Sequence, residues 1–373
     1  MKQLTHTFED IISLDNLLLA WQEFIVDKKK KPDVQEFAYN LMDNLAFLHE
    51  ELKNGIYHHS GYTQFTITDP KHRLIHKTCV RDRILNHALH RILYPYFSKI
   101  FVVDSFSCQL GKGTHRALNR FRDFSRKASR NNTRTVWVLK GDIRKFFATI
   151  DQEILLEILA KYIPKSPANS HLRGAYTRQS SPVDNIDQAR LLHQQAGSQM
   201  SVGLNLADDK TTMQLLRTII KSFELQSGKG LPLGNLTSQL FVNIYMNEFD
   251  QFVKHWLRAQ YYIRYADDFI IMSADRNIVE AYVPLMRSFL EHRLRLQLHP
   301  KKLFIKTLAS GVDFLGWIHF PHHRVLRTTT KKRMMRRLIE HPSEASINSY
   351  VGLLRHGNAF GLSRQIRRVI DYK

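Results

Sequence analysis

The apolar positions of this chain change their period several times, and each change marks an element. Leu17, Leu18, Leu19, Trp21 and Phe24, then Phe37, Leu41, Leu45, Phe47 and Leu48, recur at helical spacing and predict helices across residues 8–55. Between them Lys28-Lys29-Lys30-Lys31, closed by Pro32, reads as a basic loop, either solvated or touching RNA. Val136-Trp137-Val138-Leu139-Lys140-Gly141-Asp142 is a β-rich run ending in a carboxylate, and Phe146, Phe147, Ile150, Ile154, Leu155 and Ile158 then predict a helix. Helical spacing resumes over 215–223, before a turn at Gly228-Lys229-Gly230. Tyr261-Tyr262-Ile263 and Phe269-Ile270-Ile271-Met272 are short apolar runs of the kind that form buried strands, and Tyr265-Ala266-Asp267-Asp268 lies between them. Further on, Met334, Met335, Leu338 and Ile339 interleave with Arg324, Arg327, Lys331, Lys332, Arg333, Arg336 and Arg337, which predicts a helix with one packed and one charged face. Two more helices are expected around 349–354 and 362–370. Residues 165–212 are polar, contain Pro167 and Pro182, and keep no period, so they predict a mobile segment or a binding surface.

The two adjacent carboxylates at the predicted hairpin tip carry the first chemical suggestion. Tight hairpins favour glycine or asparagine where φ is positive. Asp267-Asp268 is a poor turn and a good cation site, although a solvated turn also accommodates it. Two divalent metals about 3.5–4 Å apart, clamping the attacking and leaving oxygens of an in-line phosphoryl transfer, need carboxylates crowded in this way. Asp142, where a strand gives way to a helix, is by itself an N-cap. Beside the aspartate pair it becomes a third ligand.

Composition narrows the partner. The chain has 55 Lys and Arg against 34 Asp and Glu, a formal charge of +21, which favours a polyphosphate whose binding weakens steeply with salt. No apolar stretch approaches the roughly 18 residues of a membrane span, and no signal core follows Met1, so no membrane partner and a cytoplasmic location are expected. Cys79 and Cys108 belong to no metal-binding pair and are expected to be buried thiols. His319 with His322-His323 lacks the further ligands of a zinc site and is expected to lie on the surface or against nucleic acid.

Three segments carry a family resemblance in order and spacing. Asp142-Ile143-Arg144-Lys145-Phe146-Phe147, then Gly230-Leu231-Pro232-Leu233-Gly234-Asn235-Leu236-Thr237-Ser238-Gln239, then Tyr265 with Ala266, Asp267 and Asp268, together resemble the palm of a bacterial reverse transcriptase. Asp69-Pro70-Lys71-His72-Arg73 and Val80-Arg81-Asp82-Arg83 resemble its fingers, and Phe314-Leu315-Gly316-Trp317 resembles its primer grip. The resemblance runs over roughly 60–373 apart from the polar insertion. It implies an α+β right-hand polymerase: an N-terminal helical segment at 1–58, fingers at 59–135, a palm with antiparallel sheet and packed helices at 136–318, carrying the 165–212 insertion, and a helical thumb at 319–373.

The implied activity is RNA-directed DNA synthesis by two-metal nucleotidyl transfer. Asp142, Asp267 and Asp268 would be catalytic and hold two magnesium ions, for which manganese can substitute, with Ile143 also at a metal-contacting position. Lys71 and Arg73 would grip the triphosphate, Phe147 would exclude a 2′-hydroxyl, and Leu233, Gly234 and Gln239 would lie near the incoming nucleotide. Phe314, Leu315, Gly316 and Trp317 would support the primer, and Lys331, Lys332, Arg333, Arg336 and Arg337 would track phosphates. Gly111-Lys112-Gly113-Thr114 lacks phosphate-loop spacing and is assigned to template or backbone contact. Implied partners are a structured non-coding RNA as template, a DNA or RNA primer, deoxynucleoside triphosphates, and a small accessory protein or a second copy of the chain.

One departure is specific. Leu233-Gly234 and Ser238-Gln239 stand where many reverse transcriptases have Gln-Gly and Ser-Pro. This form resembles the enzymes of diversity-generating retroelements and unclassified bacterial relatives, several linked to phage defence, and the lost glutamine implies low fidelity. The alternatives are a defence enzyme making repetitive, untemplated or protein-primed DNA, an RNA-binding splicing factor of maturase type, and an RNA-templated RNA polymerase, against which Phe147 argues. Ending at Lys373, the chain is expected to carry no RNase H, endonuclease or integrase domain.

Overall fold

The computed structural model describes residue 4 and residues 6–68, 72–163, 211–340 and 343–371. Lys71 and nearly all of the polar insertion lie outside these residues. The N-terminal helices Phe8–Ile12, Leu14–Phe24, Pro32–Tyr39 and Leu41–Asn54 form where the apolar spacing places them. Thr7 and Asp10 close a capping box on the first, the Ser13 side chain caps the second, and Pro32 opens the third at a position needing no amide donor. Ile11, Ile12, Leu17, Trp21, Phe24, Leu45 and Leu48 bury their faces against the long helix Val80–Phe97.

Two strands, β1 (Thr63–Ile67) and β2 (Arg73–Lys77), pair antiparallel as a separate ribbon. The central sheet contains β3 (Trp137–Asp142), β4 (Tyr261–Tyr265), β5 (Asp268–Ser273) and β6 (Phe304–Thr307) in the order β4-β5-β3-β6, antiparallel throughout. Helices Gln152–Ala160, Leu236–Gln251 and Arg276–Leu294 share one core with Leu139, Tyr262, Phe269 and Ile271 of this sheet. Val138, Ile263, Ile270 and Met272 point to the other face, where helix Thr114–Ala128 covers them. The sheet is therefore buried on both sides, which explains why its strands read as continuous apolar runs.

A third sheet, β7 (Val312–Phe314), β8 (Trp317–His319) and β9 (Arg324–Leu326), follows, and helices Thr328–Glu340, Glu344–Leu354 and Phe360–Asp371 then form a small bundle around Met334, Leu338, Leu354 and Ile366. The expected boundary at residue 318 falls inside β8. Arg324 and Arg327, expected on the basic helix, instead lie in β9 and just before the helix begins. The turn at Leu315-Gly316, with φ of +50° and +85°, starts a meander that ends only at Leu326.

Two other expectations are corrected. The helix predicted after Asp142 is broken into Phe146–Thr149 and Gln152–Ala160, because Ile150 takes an extended ψ of 121° and Asp151 caps the second piece through Glu153 N and Ile154 N. Cys79 and Cys108 are exposed rather than buried. Cys79 occupies the N-cap of helix Val80–Phe97, and Cys108 sits in a turn at φ +52°.

Gly141 is one glycine whose missing side chain is required. It pairs with Phe269 across β3 and β5, and a Cβ there would lie 2.2 Å from Cζ of that fully buried ring. Gly141→Ala is expected to force the strands apart at a cost of about 1–3 kcal/mol. Since Asp142 is the next residue, DNA synthesis should fall further than the lowered melting temperature alone accounts for. A melting temperature equal to wild type would remove the argument.

Burial also sets a pH dependence. His319 is held down to about 3 by burial and by Arg324, and burial holds His87 and His90 down to about 4. In the unfolded chain each titrates near 6.5, so below that pH the unfolded state binds more protons and folding weakens. Asp268, pushed up to about 6 by burial, opposes this with one proton. Three groups outweigh one, so the melting temperature should fall as pH drops from 7 towards 5. An unchanged or rising value would contradict this.

Candidate active site

β3 and β5 bring the carboxylates together. In their register Asp142 stands directly opposite Asp268, a position where like charges repel unless a cation lies between them. Asp142 is 5% exposed, and Lys302 Nζ donates to its Oδ2 at 2.9 Å. Its Oδ1 is buried with no hydrogen-bond donor. Lys140, two residues earlier on the same face of β3, puts Nζ 3.7 Å from Asp268 Oδ1 and also donates to the Asp313 carbonyl at 2.9 Å. Burial and the carboxylates of Asp267 and Asp142 raise the pKa of Asp268, while Lys140 and Lys302 lower it. An orphaned carboxylate oxygen beside an opposed carboxylate fits a divalent cation. Among the described residues no three His, Cys, Asp or Glu side chains already converge as a metal cluster. Asp142 is not the N-cap that it could have been, because Lys145, at φ +49°, occupies that place on helix Phe146–Thr149.

The turn between β4 and β5 consists of Ala266 and Asp267, with Ala266 at φ +55°. Two hydrogen bonds fix this strained alanine turn. Arg264 Nη1 donates to the Ala266 carbonyl at 3.0 Å, and Ile143 N donates to the Asp267 carbonyl at 3.2 Å. Ile143 is buried, and only its main-chain carbonyl could reach a cation. Arg264 is itself fully buried and makes a bidentate pair with Asp250, 2.7 Å to each oxygen, while Tyr262 OH donates to Asp250 Oδ1 at 2.5 Å. Sequence reasoning missed Arg264, Asp250 and Lys302. Arg264 had a signal, since an arginine inside an apolar strand must find a buried partner.

Asp268 opens into a cavity of about 840 Å³. Arg73 of β2, Leu315, Gly316 and Trp317 of the β7–β8 turn, and Lys332, Arg333 and Arg336 of the helical bundle line it. Several expected contacts thus meet around one carboxylate. Phe314 is fully buried and supports the turn from beneath, stacking on Phe121 with centroids 5.7 Å apart. Lys331 and Arg337 are outside the lining. So are Phe147, which is half-buried, and Leu233, whose carbonyl accepts from His76 N at 2.8 Å. Gly234 and Gln239 line a separate cavity of about 410 Å³, together with Ile75, His76 and Lys77 of β2. Thr114 reaches the large cavity, but Lys112, expected on the template, turns inward to the Val103 and Ser105 carbonyls. His319, expected at the surface, is 3% exposed against Phe121.

The antiparallel sheet sets Asp142 opposite Asp268, and Asp268 opens into a basic cleft, an arrangement that suits nucleotidyl transfer. The pattern of the reverse transcriptase (RNA-dependent DNA polymerase) family matches residues 67–319, well over half of the chain. The chain belongs to that family, with the α+β right-hand fold and the RNA-directed DNA polymerase class that go with it. It is 24% identical to Protein YkfC of Escherichia coli (strain K12) over 344 residues, 82% of this chain and 77% of the relative. Among solved structures it is similar to telomerase from Candida albicans in complex with a TWJ fragment of telomeric RNA, with TM-score 0.48, 13% identity and 86% of this chain covered. It is also similar to apo telomerase from Candida tropicalis, with TM-score 0.45, 12% identity and 71% of this chain covered. The chain spans 58% and 48% of those two telomerase chains. Among the described residues no helix is long and apolar enough to cross a membrane.

Proposed function

We propose that this chain copies a dedicated structured RNA into DNA from an annealed primer, with the low fidelity of a diversity-generating retroelement enzyme. The observation that carries the reading is the register opposition of Asp142 and Asp268, with one Asp142 oxygen unpaired and Asp268 opening into a cleft lined with arginine and lysine. Reverse transcriptases use divalent metal ions. Asp142, Asp267 and Asp268 would hold two of them, which when bound lower the pKa of the primer 3′-hydroxyl and neutralise the leaving pyrophosphate. Magnesium is the expected ion.

The remaining roles belong to side chains. Arg73 faces the cavity from β2 and offers a planar fork of donors to a triphosphate. The Leu315-Gly316 turn carries main-chain groups to the primer strand, while the buried Phe314 and Trp317 fix its height. Lys332, Arg333 and Arg336 follow the duplex phosphates, so affinity for primed RNA falls steeply with salt. Leu233 carries no hydrogen-bonding side chain where many reverse transcriptases have glutamine, which supports the low-fidelity reading.

Supplied with magnesium, deoxynucleotides and a primed RNA, the purified chain is expected to make complementary DNA scattered with substitutions, read by sequencing the product. DNA that does not depend on the added RNA overturns the reading. Short repeats or DNA joined covalently to protein would instead indicate a defence enzyme. Phe147→Val tests sugar selection. Ribonucleotide incorporation relative to deoxynucleotide should rise by roughly 10- to 100-fold, as removal of a steric block predicts, with DNA synthesis retained. An unchanged ratio in single-nucleotide extension would return Phe147 to the core.

A further inference from the structure

A second basic cavity, of about 600 Å³, shares no lining residue with the cleft. Helix Thr114–Ala128 contributes Arg122 and Arg126, β9 contributes Arg324, the loop between the last two helices contributes Arg355 and His356, and His319 of β8 lies among them. The described lining contains no Asp or Glu. Only Arg122 has a carboxylate nearby, the exposed Asp123 at 3.2 Å.

Polar groups here lack counterparts. Arg324 Nη1 and His319 Nε2 are both buried without a hydrogen-bond partner, and His319 is 3% exposed. Arg324 sits among like charges, and its pKa is lowered by burial and by Arg122. Arg324 gives its Nε and Nη2 to the His356 carbonyl and to Asn119 Oδ1, but the unpartnered Nη1 and the crowding of Arg122 and Arg324 cost free energy that an anion would relieve. The rim adds flat surfaces: Phe320 stacks on His323 at 5.0 Å, and His115 stacks on His356 at 3.7 Å. Anion plus planar ring is the chemistry of a nucleotide.

We infer that this second cavity binds a phosphate and an adjoining base of the bound RNA strand, at a place separate from the polymerising cleft. A strand is favoured over a free nucleotide because the cavity is open at the surface and its arginines come from three elements, spread along a path rather than around one terminal phosphate. The site joins two parts of the molecule. Arg324 donates through Nε to the His356 carbonyl and accepts at its own carbonyl from Asn358 N at 2.8 Å, so a strand held here also holds the loop at 355–358 against β9. The inference rests on the proposed polymerase reading only for the identity of the strand.

The test uses the full chain and a short fluorescent single-stranded RNA, with anisotropy read over a salt series. Arg126 and Arg355 are exposed, so replacing both leaves folding intact. For Arg126→Ala with Arg355→Ala, RNA affinity should drop by about tenfold, and the slope of log affinity against log salt should shrink by roughly 0.7 for each arginine that meets a phosphate. Extension of a pre-annealed primer and template at saturating concentration should match wild type, and so should the melting temperature. Affinity and slope equal to wild type overturn the inference alone. Loss of extension overturns its separateness from the cleft. ATP is titrated as a competitor of the labelled RNA, and a variant that loses ATP binding while RNA binding stays intact overturns the assignment to a strand. A wild-type chain that binds no RNA overturns the polymerase reading together with this one.

Discussion

Asp142→Asn is expected to reduce DNA synthesis on primed RNA by roughly 10²–10³-fold or more, the scale at which removing a group that stabilises transition-state charge acts. RNA affinity should be nearly unchanged, because Asp142 is buried at the sheet and is not among the residues that line the basic cleft. The stability effect should have the opposite sign to the activity effect. Asparagine keeps the shape and removes one of two opposed negative charges. Only the Lys302 ion pair is lost, and that lysine is 46% exposed, so the pair contributes little. The melting temperature should therefore hold or rise while extension disappears. Loss of RNA binding in step with synthesis would instead make Asp142 a structural residue.

The second large effect lies beneath the turn. Arg264→Leu leaves the Asp250 carboxylate buried with only Tyr262 as a donor, and removal of one partner from such a pair costs about 3–5 kcal/mol. It also frees the Ala266 carbonyl from its arginine tether. Urea unfolding should show the loss directly, and the double variant with Asp250→Leu should recover part of it, since no unpaired charge then remains. A single variant as stable as wild type would mean that the guanidinium pair contributes no net stability. A double variant no more stable than the single would mean that the loss comes from the missing tether and packing of Arg264, not from the unpaired charge of Asp250.

These residues also mark how far the sequence could be read. The opposed aspartates were legible because two apolar runs bracket Asp267-Asp268 and a third ends at Asp142, and strand pairing had few other ways to bury those runs. The N-terminal helices were legible for the same reason, with Pro32 and Ser13 adding local signals at their starts. The break at Ile150 was not, because Asp151 caps the second helix without interrupting the apolar period. β9 was missed because Arg324 and Arg327 continue the charge pattern of the helix that follows. The cysteines were misplaced because a thiol's usual burial says nothing about a cap or a turn. Lys302 reaches Asp142 from a turn with no periodicity, so only the folded chain discloses it.

The junction between the β7–β8–β9 sheet and the helical bundle has a mechanical consequence. The helical bundle is joined to the β7–β8–β9 sheet at Arg327, whose N–H donates to the Gly316 carbonyl and whose side chain pairs with Asp313. It meets the same sheet again at Gly357, where a Cβ would come 2.0 Å from Cζ3 of Trp317, too close for any side chain. A body fixed at two points turns about the line through them. A turn of the helical bundle against the sheet would therefore run about the line from Arg327 to Gly357, with the Trp317 ring as the plate against which the Gly357 end rests. A bulkier residue at 357 would push the bundle off that plate.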